Sequence, residues 1–102
     1  MIPNDPTTTT HQQLLDAPAP ERVHLVAEYL LASVRALKTE SGTAAIGLDT
    51  QLSDLAIDSI QVVELKFGLD QLVGTELDVD LIVTNPTVRQ LAERSVTAAG
   101  LA

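Results

Sequence analysis

Residues 52–60 read LSDLAIDSI, and they mark the point where an irregular connection passes into a helix. Apolar residues recur at helical spacing from there as far as Leu72,. Asp58 is placed to cap this helix, and Gln61, three residues later, can complete a capping box,. Ser59 then falls in the first turn, where backbone N–H groups are free and the helix dipole is positive. A hydroxyl in this position suits an attached phosphate.

The residues around this serine resemble a known signature. The pattern L-x-x-L-x-x-D-S-I over residues 52–60 is similar to the Leu-x-x-Leu-Gly-x-Asp-Ser-Leu signature of acyl carrier proteins. Ala56 stands where the family usually has Gly, and Ile60 where it has Leu, but the Asp-Ser pair is intact. The resemblance covers residues 20–99 and includes two further stretches: VELK at residues 63–66 and NPTV at residues 85–88.

This resemblance implies a prosthetic group and a role. In acyl carrier proteins the serine carries 4′-phosphopantetheine, derived from coenzyme A, through a phosphodiester, which implies that Ser59 is the attachment site and that Asp58 caps the helix beside it. The implied function is that of a non-catalytic carrier, which tethers acyl or polyketide intermediates as thioesters and presents them to enzymes. The implied partners are a phosphopantetheinyl transferase and an acyltransferase, ketosynthase or acyl-activating ligase.

Within the family, the VELK and NPTV stretches are most similar to polyketide synthase carriers. Peptidyl carriers usually lack the Asp before the serine, so Asp58 speaks against them. Two alternatives stay open. One is an aminoacyl or peptidyl carrier of a nonribosomal system, and the other is a small acidic helical interaction module without a prosthetic group. The second alternative accounts for the composition but not for the pattern in residues 52–60.

The apolar periodicity predicts an all-α fold, which the resemblance specifies as a four-helix carrier bundle with three main helices, a short third helix and a long first loop,. The expected organisation is a flexible N-terminal tail over residues 1–19, a carrier domain over 20–99 and a C-terminal end at 100–102. Prolines interrupt the tail, and its polar threonines have little to bury,. The helices are expected from about Pro20 to Ser41, from Ser59 to Val73, from Asp80 to Val83 and from Thr87 to Gly100.

The long connection, residues 41–57, is expected to lie on the bundle through its apolar side chains: Ile46, Leu48, Leu52 and Leu55. On the second helix we expect one face in the core, made of Ile60, Val63, Phe67 and Leu72,. A second apolar face, made of Val62, Leu65 and Leu69, is either buried by the wrapping loop or exposed to partners.

The resemblance also implies two functional surfaces. One is a partner-docking surface on and after the second helix: Ile60, Val62, Val63, Glu64, Lys66, Asp70 and Glu76. The other is the edge of a cargo pocket on the third helix: Leu81, Ile82 and Val83.

Composition excludes several other classes of function. A net charge of −8 and only two aromatic residues argue against nucleic acid and anionic membranes, and the charge favours basic protein partners,. The chain has no cysteine, which excludes disulfides and thiolate catalysis,. Neither histidine is placed to serve Ser59 as a base, and the acidic residues lack metal-site spacing,. No signal or membrane-spanning pattern is present, so we expect a cytoplasmic protein, and we also expect a monomer,.

Overall fold

The computed structural model describes residues 10–37, 46–55 and 58–102. These residues form five α-helices: α1 (His11–Asp16), α2 (Ala19–Leu37), α3 (Ser59–Val73), α4 (Asp80–Val83) and α5 (Val88–Ala98). A 3₁₀ helix spans Leu52–Leu55. Within the described ranges the only β-type pairing is a single antiparallel bridge between Gln51 and Thr87. The predicted all-α class is confirmed, and α2 to α5 are the four predicted helices.

Helix α3 begins and ends where its sequence predicts. Asp58 has an extended backbone, with φ −81° and ψ 174°, and its carboxylate accepts the Gln61 N–H at 2.8 Å. The Gln61 side chain accepts the Asp58 N–H in return at 3.2 Å, which completes the capping box,. Gly74 ends the helix in the left-handed conformation, with φ +77°,. These local contacts determine where the helix that carries Ser59 begins and ends.

Helices α2 and α5 pack most extensively against each other and form the centre of the core. Their interface is aliphatic, and its fully buried side chains include Val26, Leu30, Val34, Leu91 and Val96. Thr87 caps α5 through a box with Gln90, in the same way that Asp58 caps α3. Helix α3 packs against both α2 and α5.

The core-facing side of α3 is not the one we predicted. Ile60, Val63 and Phe67 are 68%, 61% and 64% exposed, and the buried residues of this helix are Leu65, Leu69, Leu72 and Val73. At about 100° per residue the two sets lie on opposite sides of the helix. The prediction was wrong because α3 is apolar on both sides, so periodicity alone does not identify the buried one. Only Leu72 was placed correctly, and Val62, which lies on the inner side, is half-buried,.

A flexible tail was predicted over residues 1–19; residues 1–9 lie outside the described residues, and residues 11–16 form the helix α1. Thr10 caps α1 through a box with Gln13, and the side chain of Leu14 is completely buried. His11 Nδ1–H donates to the Leu72 carbonyl oxygen at 2.8 Å, which seats α1 on the last turn of α3. The segment is ordered by this tertiary packing, to which local helix propensity contributes little.

The side chain of Arg22 holds this N-terminal segment in place. Its guanidinium donates to the carbonyl oxygens of Leu14, Leu15 and Ala17 at 3.1, 3.1 and 3.2 Å. It also donates to the Leu101 carbonyl oxygen at 3.0 Å. The half-buried guanidinium of Arg22 therefore connects α1, the start of α2 and the residues after α5 by hydrogen bonds,.

The described part of the connection before α3, residues 46–55, lies on the bundle as predicted. Ile46, Leu52 and Leu55 are buried, and Leu48 is partly buried against them. The backbone of residues 48–52 runs beside that of residues 86–89, with bonds from Leu52 N–H to Pro86 O, from Val88 N–H to Thr50 O and from Arg89 N–H to Leu48 O, at 3.1, 3.1 and 2.9 Å. The predicted end of the first helix, near Ser41, lies outside the described residues.

Candidate functional site

Ser59 is the first residue of α3, and its side chain is exposed. The Gln61 N–H is taken by the Asp58 side chain, and the Val62 N–H by the Asp58 carbonyl oxygen at 3.0 Å. The N–H groups of Ser59 and Ile60 have no intrahelical acceptor at this position. The hydroxyl therefore lies in solvent beside two N–H donors at the positive end of a helix dipole. This arrangement fits a phosphodiester on Ser59 Oγ, because its negative oxygens would find donors and a favourable dipole there.

No histidine in the described ranges assists Ser59. His11 contacts the other end of α3, which at about 1.5 Å per residue lies some 20 Å from Ser59,. His24 pairs with Glu28 on the exposed side of α2 at 3.4 Å. In the described residues no three potential metal ligands cluster either. Among the residues that the structure describes, no histidine base therefore lies beside Ser59 Oγ,.

A cavity of about 160 Å³ opens beside the start of α3. It lies between the 3₁₀ helix, α3 and the α4–α5 region, and its lining residues are Leu52, Ser53, Val62, Ile82, Val83 and Asn85. Of the residues predicted at the pocket edge, Ile82 and Val83 line this cavity. Leu81 does not, and instead packs partly buried against the core. Asn85 was not predicted at this cavity, although an Asn before Pro indicates a turn,.

A continuous apolar stripe, made of Ile60, Val63 and Phe67, runs along the solvent side of α3 from the residue next to Ser59. Ile60 and Val63 belong to the predicted docking surface. Phe67 was missing from that set, although it is as exposed as Ile60 and Val63. Its position one turn beyond Val63 could have indicated a shared face. Large exposed side chains in a row are characteristic of interaction surfaces.

The predicted charged docking residues divide into two groups. Glu64 and Glu76 are exposed, whereas Lys66 and Asp70 are paired and only 20% and 16% exposed. Asp70 accepts from Lys66 Nζ at 2.7 Å and from the Leu77 N–H at 2.8 Å, so it fixes the connection after α3. The hydrogen bond to Asp70 raises the pKa of Lys66 above its usual value,. The free acidic charge beside the apolar stripe therefore comes from Glu64 and Glu76.

The described residues form a small all-helical domain with an exposed serine at the start of α3. The family model described as "Phosphopantetheine attachment site" matches residues 31–95, and the chain belongs to this family. Its prosthetic group is 4′-phosphopantetheine, so the protein is a phosphopantetheine carrier of the acyl carrier type. Domains of this family are generally not catalytic themselves.

Among known proteins, the chain is similar to erythronolide synthase EryA3 of Saccharopolyspora erythraea. The two are 35% identical over 66 residues, which cover 65% of this chain but 2% of that protein. The chain thus matches a very small part of its relative's length. No solved structure gives a significant match. Among the described helices, none combines the length and apolar character needed to span a membrane.

Proposed function

We propose that Ser59 is the residue that carries the prosthetic group. A phosphopantetheinyl transferase would bind the protein, and Ser59 Oγ would attack the β-phosphate of coenzyme A, forming the phosphodiester and releasing 3′,5′-ADP. The observation that carries this assignment is the exposed hydroxyl at the capped start of α3, beside two N–H groups without intrahelical acceptors. Asp58 contributes by holding that first turn in shape through its bond to Gln61.

The finer role is that of an acyl or polyketide carrier. When bound, the arm supplies a thiol on which acyl groups are held as thioesters. The chain itself would display the arm away from the core and raise the effective concentration of cargo at each partner enzyme. The similarity to a polyketide synthase supports polyketide cargo. Aminoacyl or peptidyl cargo is the alternative, and identifying the acyl group that the cognate enzymes load would separate the two.

The apolar stripe is the proposed docking surface, with Glu64 and Glu76 at its edges. The stripe starts beside Ser59, so an enzyme seated on it would have the arm within reach. The proposed partners are the transferase, then an acyltransferase, ketosynthase or acyl-activating ligase. Lys66 and Asp70, predicted for the same surface, would support it indirectly by fixing the end of α3. The domain limits at residues 20–99, the cytoplasmic location and the monomeric state stay predictions.

Intact mass tests the assignment of Ser59. The purified protein is incubated with coenzyme A and a broad-specificity phosphopantetheinyl transferase, beside Ser59→Ala and the control Ser53→Ala. We expect the wild type and the Ser53 variant to gain one phosphopantetheinyl group and the Ser59 variant to gain none. A folded wild type that gains nothing would contradict the assignment and favour a helical interaction module without a prosthetic group.

A further inference from the structure

Lys66 lies on the same side of α3 as Ser59. It follows Ser59 along the helix by about 10 Å and by a rotation within about 20° of two full turns,. Asp70 lies one turn beyond Lys66 on the same side, and its carboxylate accepts the Leu77 N–H in the connection to α4,. Ser59, Lys66 and Asp70 therefore form a row on the side of α3 that faces this connection.

A group attached to Ser59 is long enough to reach along this row. The arm of 4′-phosphopantetheine has about as many chain bonds as four to five amino-acid residues, which span at most about 15 Å when extended. That length exceeds the roughly 10 Å along the helix between Ser59 and Lys66. The amino group of Lys66 is therefore within range of a thioester at the end of the arm.

A neutral amine close to a thioester takes over its acyl group. The lone pair of the nitrogen attacks the carbonyl carbon, a C–N bond forms and the C–S bond breaks. The thiol leaves with a proton from the nitrogen, and the acyl group stays on the lysine as an amide. Tethering makes such a reaction faster, because the amine and the thioester belong to one molecule. An unprotected lysine in this position would therefore withdraw cargo from the arm.

The ion pair between Lys66 and Asp70 opposes this reaction. Lys66 Nζ donates to Asp70 Oδ2 at 2.7 Å, and both side chains are largely shielded from water. This hydrogen bond raises the pKa of Lys66, and the carboxylates of Glu76 and Asp78 act in the same direction,. The Leu77 N–H holds the Asp70 carboxylate at 2.8 Å. The amino group thus stays in its ammonium form, which has no lone pair and is not a nucleophile.

We propose that Lys66 is a latent acyl acceptor and that Asp70 protects a tethered thioester from it. The bond between the two side chains keeps the acyl group on the arm, where partner enzymes can use it. This inference rests on the proposed function, because the thioester comes within reach of Lys66 only when the arm is attached to Ser59.

The test loads the full chain from acetyl-coenzyme A with a broad-specificity phosphopantetheinyl transferase, so that Ser59 carries an acetylated arm. The variant is Asp70→Asn, which keeps an oxygen for the Leu77 N–H but removes the negative charge. Hydroxylamine then cleaves thioesters and leaves amides, and peptide mass mapping locates the remaining acetyl groups. We expect the amide on Lys66 to form about three- to tenfold faster than in the wild type, at a rate independent of protein concentration.

Two further variants serve as controls. Glu93→Gln removes a negative charge from an exposed position of α5 and should leave the rate of amide formation at its wild-type value. Lys66→Arg, combined with Asp70→Asn, keeps a cation but removes the amine. This double variant should form no amide at position 66.

The apo chain gives a readout that does not depend on the arm. Trace labelling with acetic anhydride should modify Lys66 faster in Asp70→Asn than in the wild type, because more of its amine is neutral. In the wild type, labelling of Lys66 should rise about tenfold per pH unit below its pKa. The loaded wild type should form its amide with the same pH dependence, which tests the inference without any substitution.

Three results would overturn the inference. The first is an equal rate of amide formation in the wild type and in Asp70→Asn. The second is an Asp70→Asn chain that keeps its acetylated arm and leaves Lys66 unmodified. The third is an amide on Lys66 that forms equally fast in Ser59→Ala combined with Asp70→Asn, since the acetyl group would then not come from the arm. Failure of the proposed function is a separate outcome, because no arm would appear on Ser59 by intact mass.

Discussion

The hydroxyl of Tyr29 on α2 lies directly against Gly68 on α3, in the space that a Cβ at position 68 would fill. Gly normally weakens a helix, by about 1 kcal/mol relative to Ala. Here it permits a close approach of two helices that together position the start of α3. The same contact explains why a glycine occurs in the middle of a helix whose ends are both well capped.

Gly68→Ala should therefore destabilise the protein, by about 1–3 kcal/mol, because the tyrosine must move out of a packed position. The measurement is urea unfolding followed by circular dichroism. In a Tyr29→Phe background the nearest atom is gone, so there Gly68→Ala should stabilise the protein by up to about 1 kcal/mol through helix propensity. Stabilisation in the wild-type background would contradict the observed contact.

The two faces of α3 should respond differently to truncation. Leu69→Ala empties a fully buried site and should cost about 2–5 kcal/mol of unfolding free energy,. Phe67→Ala removes a larger but exposed side chain and should change stability by no more than about 0.5 kcal/mol,. Equal costs for the two variants would show that the assignment of faces is incorrect. Modification kinetics on the same variants would also report whether the transferase uses Phe67.

Leu14 tests whether α1 belongs to the folded domain. Leu14→Ala should cost about 2–5 kcal/mol, because this side chain is fully buried,. Its neighbour Leu15 is 39% exposed, and Leu15→Ala should change stability by about 0.5 kcal/mol or less,. If both variants unfold like the wild type, α1 contributes nothing and the expectation of a tail holds after all. Thermal and chemical unfolding of the full chain provide the comparison.

Asp58 is expected to contribute through its cap. Asp58→Ala should lower the unfolding free energy by about 0.5–2 kcal/mol, since the Gln61 N–H loses its acceptor,. Asp58→Asn keeps a side-chain oxygen and should retain most of that stability. An Ala variant as stable as the Asn variant would mean that the cap is unimportant for the fold.

Ser95 on α5 is fully buried, and its Oγ has no hydrogen-bond partner in the part of the chain that the structure describes. Ser95→Ala should stabilise the protein by about 1 kcal/mol, because it removes a buried polar group without a partner. Thr97→Ala, at an exposed site of the same helix, controls for the change in helix propensity. A loss of stability in the Ser95 variant would indicate that the hydroxyl does have a partner.

The sequence predicted the features that depend on neighbouring residues. The Asp58–Gln61 box, the Gly74 terminus and the limits of α4 follow from contacts within a few positions, and all agree with the structure. The buried face of α3 could not be predicted, because Leu65 and Phe67 differ in burial but not in apolar character. The position of α1 depends on the hydrogen bond between His11 and Leu72, which lie 61 residues apart.

The residues of the candidate site divide in the same way into those predicted from neighbouring residues and those that only the folded chain brings together. The position of Ser59 at the start of α3 was predicted from a local pattern, but the place of Asn85 at the cavity was not. That residue lies 32 positions from Ser53, and only the folded chain brings the two together. Phe67 was assigned to the buried side wrongly, because α3 is apolar on both sides and its apolar spacing fits either side as the buried one.

The opposed apolar faces of α3 have a consequence for how such a protein can change over generations. Substitutions at Ile60, Val63 or Phe67 meet water on the outside, so they alter the surface offered to other proteins at little cost in unfolding free energy,. Substitutions at Leu65 or Leu69 are constrained by packing. The inner side of this helix is thus constrained by packing, whereas its outer side is free to vary. Binding to new partner proteins could therefore evolve, or be engineered, without a change of fold.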